Sequence, residues 1–257
     1  MKLAVNLSMI FTEVPLLERF NLAAQHGFQH VEIQFPYELS IDQIQTQLVQ
    51  HQLTLCLINV PVGDLMQGGH GLAGIPAQEE NFKVAVTQAI EYAAALNVPS
   101  VNILAGKKPD DIEYDVCFKT LVKNLKFSCS EFSQHGIQPV FEMINGHDMP
   151  NFLIQTVADG LKLIEQVNDP SLKMQFDCYH MTRMNENLIK ALDSNLDNIG
   201  HIQFADVPGR HEPNTGKINF DEVFQFLNQS TYTGFVAAEY RPSNHSNDSF
   251  EWKNKIT

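Results

Sequence analysis

Residues 114–144, YDVCFKTLVKNLKFSCSEFSQHGIQPVFEMI, contain one whole helix-to-strand unit. Apolar side chains at Phe118, Leu121, Val122, Leu125, Cys129 and Phe132 recur at spacings of three and four, which predicts a helix over 114–135 with one apolar face. His135-Gly136 then ends it, because glycine enters the left-handed conformation of a helix terminus without a Cβ clash. The run QPVFEMI at 138–144 follows at once and reads as a strand. A one-sided helix feeding a short apolar strand is the repeating part of a parallel sheet covered by helices.

The same alternation continues in both directions. Further strand candidates are 2–9, 30–35, 53–60, 100–105, 172–179, 199–206 and 234–240, which with 138–144 makes eight. Helices are predicted over 15–26, with Leu16, Leu17, Phe20, Ala23 and Ala24 on one face, and over 79–97, with Phe82, Val86, Ala89, Ile90, Ala93 and Ala94. His26-Gly27 repeats the helix stop, and Ser40 with Gln43 forms a capping box that opens a further helix. Eight such units predict an α/β fold, a single (β/α)8 TIM barrel spanning residues 1–257 as one domain. A doubly wound sheet is the competing architecture. It calls for a glycine-rich phosphate loop after the first strand, and Asn6-Leu7-Ser8-Met9 is not one.

Composition excludes several function classes. Thirty acidic against 17 basic residues give a net charge of −13, with no basic run longer than Lys107-Lys108, which speaks against nucleic acid and anionic membranes as partners. Cys56, Cys117, Cys129 and Cys178 are too sparse for a disulfide scaffold or a zinc knuckle and read as reduced thiols. The N-terminus lacks a basic leader and a cleavage site, and no stretch reaches membrane-span length, so a cytoplasmic protein is expected. Self-association into a homo-oligomer is left open.

The polar residues late in the strands point to chemistry. Glu142, Asp177, Gln203 and Glu239 each stand among apolar neighbours near the end of strands five to eight. One carboxylate in a strand is ordinarily solvated or paired, but in a barrel these four strands are adjacent and the side chains converge. Enclosed carboxylates repel one another, and a bound cation relieves that repulsion. His180 follows Asp177 by three residues where the strand is expected to become a loop, and it reads as a ligand, an orienting group or a substrate contact. His201 has the parity of Gln203 but lies one layer lower. Lys107 and Arg210, in loops after strands four and seven, are the positive groups available to an anionic substrate. The loop 61–76 carries Gly68, Gly69, Gly71 and Gly74 without matching a phosphate fingerprint. Cys178 and Tyr179 lack a base partner, and Ser8, expected within a strand, lacks the elbow of a nucleophilic serine.

Several motifs in order resemble the hydroxypyruvate isomerase family of xylose isomerase-like barrels. They are NLSMIFTEVPLLERF at 6–20, FPY at 35–37, the glycine loop ending GIP at 76, ExIN at 142–145, QFDCYH at 175–180, GHIQ at 200–203, RHEPxxGxIN at 210–219 and EYRP at 239–242. The opening motif and the RHEP loop look closest to the family's 2-oxo-tetronate isomerases. The resemblance implies an isomerase in which Glu142 and Glu239 are the proton donor and acceptor, with a divalent cation held by Glu142, Asp177, Gln203 and Glu239. Relatives usually have histidine where this chain has Gln203, and an all-oxygen set favours magnesium or manganese over zinc. The expected substrate is a small anionic sugar acid bound by His180, Arg210 or Lys107. Alternatives are hydroxypyruvate in place of 2-oxo-tetronate, a sugar epimerase, a barrel endonuclease, against which the charge speaks, and a non-catalytic sugar-acid binder.

Overall fold

A computed structural model describes residues 1–255. Eight parallel strands close into a barrel in chain order: β1 (Lys2–Asn6), β2 (His30–Ile33), β3 (Thr54–Asn59), β4 (Ser100–Ile103), β5 (Gln138–Glu142), β6 (Lys173–Asp177), β7 (Ile199–Phe204) and β8 (Phe235–Ala238). β8 pairs back on β1, from Lys2 opposite Phe235 to Val5 opposite Ala238, so no sheet edge remains. Helices α1 (Leu16–Gln25), α2 (Ile41–His51), α3 (Glu79–Leu96), α4 (Tyr114–Ser133), α5 (Val157–Val167), α6 (Cys178–Arg183), α7 (Leu188–Asn195) and α8 (Phe220–Gln229) connect them. This is the TIM barrel that the alternation predicts.

Local signals act as expected at the helices. α4 buries Cys117, Phe118, Leu121, Leu125, Cys129 and Phe132, while Val122 lies half-buried at the edge of the stripe. Gly27 and Gly136 adopt φ of 75° and 66° behind α1 and α4. Ser40 accepts from the Gln43 amide as Gln43 accepts from that of Ser40, and Thr156 with Asp159 opens α5 in the same way.

The strands stop earlier than their apolar runs, and side chains stop them. Asn6 Oδ1 accepts the Ser8 N–H at 2.8 Å and turns the chain out of β1, so Ser8 stands in a turn and not in a strand. Asp177 Oδ1 accepts the Tyr179 N–H at 2.7 Å and caps α6, so Cys178, Tyr179 and His180 form the first turn of a helix, not a strand end and loop.

Ala4, Leu57, Val140 and Ala237 share strand parity with Asn6, Asn59, Glu142 and Glu239, and they form a small apolar cluster apart from the main core. The barrel interior therefore has an apolar floor under a polar layer at the C-terminal strand ends, the catalytic face of this architecture. No helix among the described residues is long and apolar enough to cross a membrane. All four cysteines are buried and free.

After β8 the chain packs against α8 and the ends of α1. Phe204 packs on Trp252 and Phe224 with ring centroids 5.0 and 5.3 Å apart, and Trp252 Nε1 donates to Tyr240 Oη at 3.1 Å. Glu13 latches this segment by accepting both the N–H and the hydroxyl of Ser246 at 2.8 Å. Burial raises the Glu13 pKa, but the Ser246 hydrogen bonds outweigh it and leave the carboxyl below its usual range. A lowered carboxylate pKa stabilises above the ordinary glutamate value and ceases to do so as pH falls through the lowered one. Exchange of the Ser246 amide, and of the Phe11 amide that donates to Ser246 Oγ at 2.8 Å, should therefore accelerate in Glu13→Ala at neutral pH, and in the wild type only in acid. Equal protection in the variant and the wild type at neutral pH would remove the latch.

Candidate active site

β5 ends at Glu142 and β6 at Asp177; Gln203 lies opposite Asp177 in β7, and Glu239 follows β8 directly. All four side chains are buried. Glu142, His180, Arg210, Glu239 and Arg241 line a cavity of about 420 Å³, within the range of roughly 300–1,000 Å³ typical of small-molecule sites.

Glu239 is held from several sides, Glu142 from one. Glu239 Oε1 accepts from Asn6 Nδ2 at 2.9 Å, Gln34 Nε2 at 3.0 Å and Gln203 Nε2 at 3.1 Å, while its Oε2 receives Arg210 Nη2 at 2.6 Å. Arg210 Nη2 lies 3.4 Å from Asp177 Oδ2, and Asn102 donates to Glu142 Oε2 at 3.2 Å. Burial pushes the Glu142 pKa well above the carboxylate range, reinforced by Glu239 and Asp177. Burial also lifts Asp177 to about 6 and Glu239 to about 8, with Arg210 opposing both shifts. Asp177 and Glu239 thus take up and release protons near neutral pH.

Arg210 is placed by its loop. Asp206 gathers the N–H groups of Val207, Gly216 and Ile218 on its carboxylate, and its carbonyl accepts the Arg210 N–H at 2.9 Å. Arg210 adopts φ of 56°, a left-handed conformation that costs a non-glycine residue about 1–2 kcal/mol, and its guanidinium carbon lies 5.1 Å from the Tyr179 ring centroid. The side chain is 20% exposed, so its charge acts on Glu239 and Asp177 with little solvent between them.

His180 Nε2 stands 3.6 Å from both Glu142 Oε1 and Asp177 Oδ2. Burial, followed by Arg210 and Arg183, drives its pKa well below the usual value, so the imidazole is neutral. Glu142, Asp177 and His180 bring candidate ligand atoms within 4.8 Å of one another, a buried set that could bind a metal ion. Gln203 presents its NH2 group, at 2.7 Å to Glu32 Oε1 and 3.1 Å to Glu239 Oε1, and its own oxygen accepts from Gln175 at 2.7 Å. Ligation by the Gln203 oxygen requires the amide to turn over.

Lys107 is not brought into this group. Its ammonium donates to the Gly68 carbonyl at 2.9 Å, at the rim of the 61–76 loop. His201 lies in the lower layer, with Nε2 at 2.7 Å from Glu32 Oε2. Sequence reasoning passes over Asn6, Glu32, Gln34, Asn145 and Arg241. Glu32 carries the signal that selects Glu142, a carboxylate between bulky apolar neighbours in a strand, and Arg241 stands two residues after Glu239.

Residues 20–256 match the family model described as a xylose isomerase-like TIM barrel. The chain is 39% identical over 252 residues to hydroxypyruvate isomerase of Escherichia coli (strain K12), covering 98% of each, and 34% identical over 254 residues to 2-oxo-tetronate isomerase of Haemophilus influenzae, covering 99% of this chain and 98% of that one. It belongs to the hydroxypyruvate/2-oxo-tetronate isomerase family, as its motifs imply. Among solved structures, one from Brucella melitensis described as an AP endonuclease of family 2 superposes with a TM-score of 0.95 at 35% identity, covering 98% of both chains.

Proposed function

We propose that the protein isomerises a 2-oxo-3-hydroxy acid to its 3-oxo-2-hydroxy isomer, with 2-oxo-tetronate as the substrate its opening and RHEP motifs favour. The observation that carries this reading is the pair of buried glutamates, Glu142 and Glu239, lining one cavity beside Arg210 and His180. Hydroxypyruvate is the second reading, favoured by the 39% identity to the E. coli enzyme. Both acids share a carboxylate next to a ketone next to a carbinol. An endonuclease reading finds no support in a chain of net charge −13.

In this reading one glutamate removes the proton from the carbinol carbon, which the adjacent carbonyl acidifies, and the bonding pair moves to give an enediolate. The other glutamate returns a proton to the former ketone carbon, while the carbinol hydroxyl passes its proton to the former ketone oxygen and becomes the new carbonyl. No oxidant or reductant is consumed. Raised pKa values suit both carboxyls to proton transfer, a contribution of about 10²–10⁴ in rate. Arg210 and Arg241 supply positive charge for the substrate carboxylate. Glu142, Asp177 and Glu239, with Gln203 once its amide has turned, would hold a magnesium or manganese ion, whose charge stabilises negative charge developing on substrate oxygens.

The test is a coupled assay of the purified protein on both acids, with magnesium or manganese and with a chelator. Turnover of 2-oxo-tetronate, preferred over hydroxypyruvate and reduced by the chelator, is the expected result. Absence of turnover on both acids with metal supplied sinks the proposal.

A further inference from the structure

Asn145, fully buried behind β5, has no role in the chemistry above, yet its hydrogen bonds determine what His180 can do. Its side-chain oxygen accepts the backbone N–H groups of His147 at 3.1 Å and Asp148 at 2.9 Å. An oxygen facing two donors cannot be exchanged for an NH2 group, so the amide has one orientation. Its nitrogen consequently faces Asp148 Oδ2 at 3.0 Å and His180 Nδ1 at 2.6 Å. The Asn145 backbone N–H also points at the same Nδ1, at 3.5 Å. With donors alone around it, Nδ1 must offer a lone pair. A neutral imidazole then carries its single proton on Nε2.

That proton is aimed at the chemistry. Nε2 is 3.6 Å from both Glu142 Oε1 and Asp177 Oδ2, just beyond hydrogen-bonding distance of either, and the ring lines the cavity. The donor is thus unspent in the free protein and available to an oxygen placed in the cavity beside Glu142. In this tautomer His180 has no lone pair for a metal, and a cation in the site would be left to the oxygen donors.

We infer that Asn145 is a positioning residue that locks His180 in the Nε2–H tautomer, making it a neutral hydrogen-bond donor to a substrate oxygen and not a metal ligand. The catalytic half of this inference rests on the isomerase reading; the tautomer does not.

Long-range proton–nitrogen NMR of the metal-free wild-type protein, with His180 assigned among its ten histidines by the spectrum of His180→Gln, reads the tautomer directly. A protonated Nε2 and an unprotonated Nδ1 are expected, and a proton on Nδ1 overturns the inference without recourse to any Asn145 variant. In Asn145→Asp one carboxylate oxygen still serves the two backbone N–H groups while the other, set against Asp148 Oδ2 as well as Nδ1, is stabilised by accepting from Nδ1, so the proton moves there and Nε2 loses it. kcat should fall about 10²-fold, the typical cost of one lost donor to a developing oxyanion, with KM changed much less. An inverted tautomer with kcat unchanged removes the catalytic half. Wild-type protein with the Nε2–H tautomer but no turnover of either acid removes the isomerase reading and leaves the tautomer standing on its spectrum.

Discussion

Glu142→Gln and Glu239→Gln should each lower turnover by about 10²–10⁴-fold, and the one that removes the base should abolish solvent-deuterium incorporation at the carbinol carbon, because an amide neither accepts nor returns the proton. The two variants should separate in stability. Glu142 makes one side-chain hydrogen bond, from Asn102, and a glutamine oxygen replaces that acceptor. Removal of the buried charge then relieves the desolvation that raises its pKa. At Glu239 the glutamine oxygen can serve Asn6, Gln34 and Gln203, but the amide nitrogen then meets the Arg210 guanidinium. Tm is therefore expected to hold or rise in Glu142→Gln and to fall in Glu239→Gln. The pH dependence has a definite sign. A carboxyl whose pKa is raised on folding binds its proton more tightly when folded, so metal-free wild-type protein loses stability as pH climbs above the usual glutamate value. Glu142→Gln should flatten that decline between acid and neutral pH. Deuterium incorporation retained in both variants would falsify the assignment of the proton-transfer pair.

The barrel and the ring of Glu142, Asp177, Gln203 and Glu239 were legible in the sequence because both follow from a period of two along each strand and one helix per crossover. Features that depend on individual side chains were not. Lys107 and Arg210 look alike as loop cations after strands, and only the gathering of loop N–H groups on Asp206 separates them. The apolar run past Asn6 and Asp177 continues into Leu7 and Cys178, but backbone N–H groups that donate to these two side chains end the strands first. The segment after residue 242 forms short 3₁₀ turns, which lack the repeat that reveals a helix or strand, although Trp252 is among the most buried side chains. Glu32 was obscured by distance along the chain: its histidine partner lies 169 residues away.

Glu32 is where the largest loss of stability is expected. Its Oε1 accepts from Asn6 Nδ2 at 2.8 Å and Gln203 Nε2 at 2.7 Å, and its Oε2 receives His201 Nε2 at 2.7 Å, with no solvent exposure. Asn6 and Gln203 also donate to Glu239 Oε1, so two amides bridge the lower carboxylate to the one in the site. Glu32→Ala removes the acceptor of three buried N–H groups, one each on Asn6, Gln203 and His201. Breaking a buried network of this kind costs on the order of 3–5 kcal/mol. At roughly 2–4 °C per kcal/mol for a chain of this length, Tm should drop on the order of 10 °C. Turnover should fall with it, since Asn6 and Gln203 lose the anchor that aims them at Glu239. Glu32→Gln should behave differently. Its oxygen can still accept from Asn6 and Gln203, and its NH2 group meets His201 Nε2, which becomes an acceptor if the proton shifts to Nδ1, a buried atom without a partner in the wild type. That exchange should cost only about 1 kcal/mol. A wild-type Tm in Glu32→Ala, or equal damage in both variants, would mean that Glu32 does not organise the layer beneath the site.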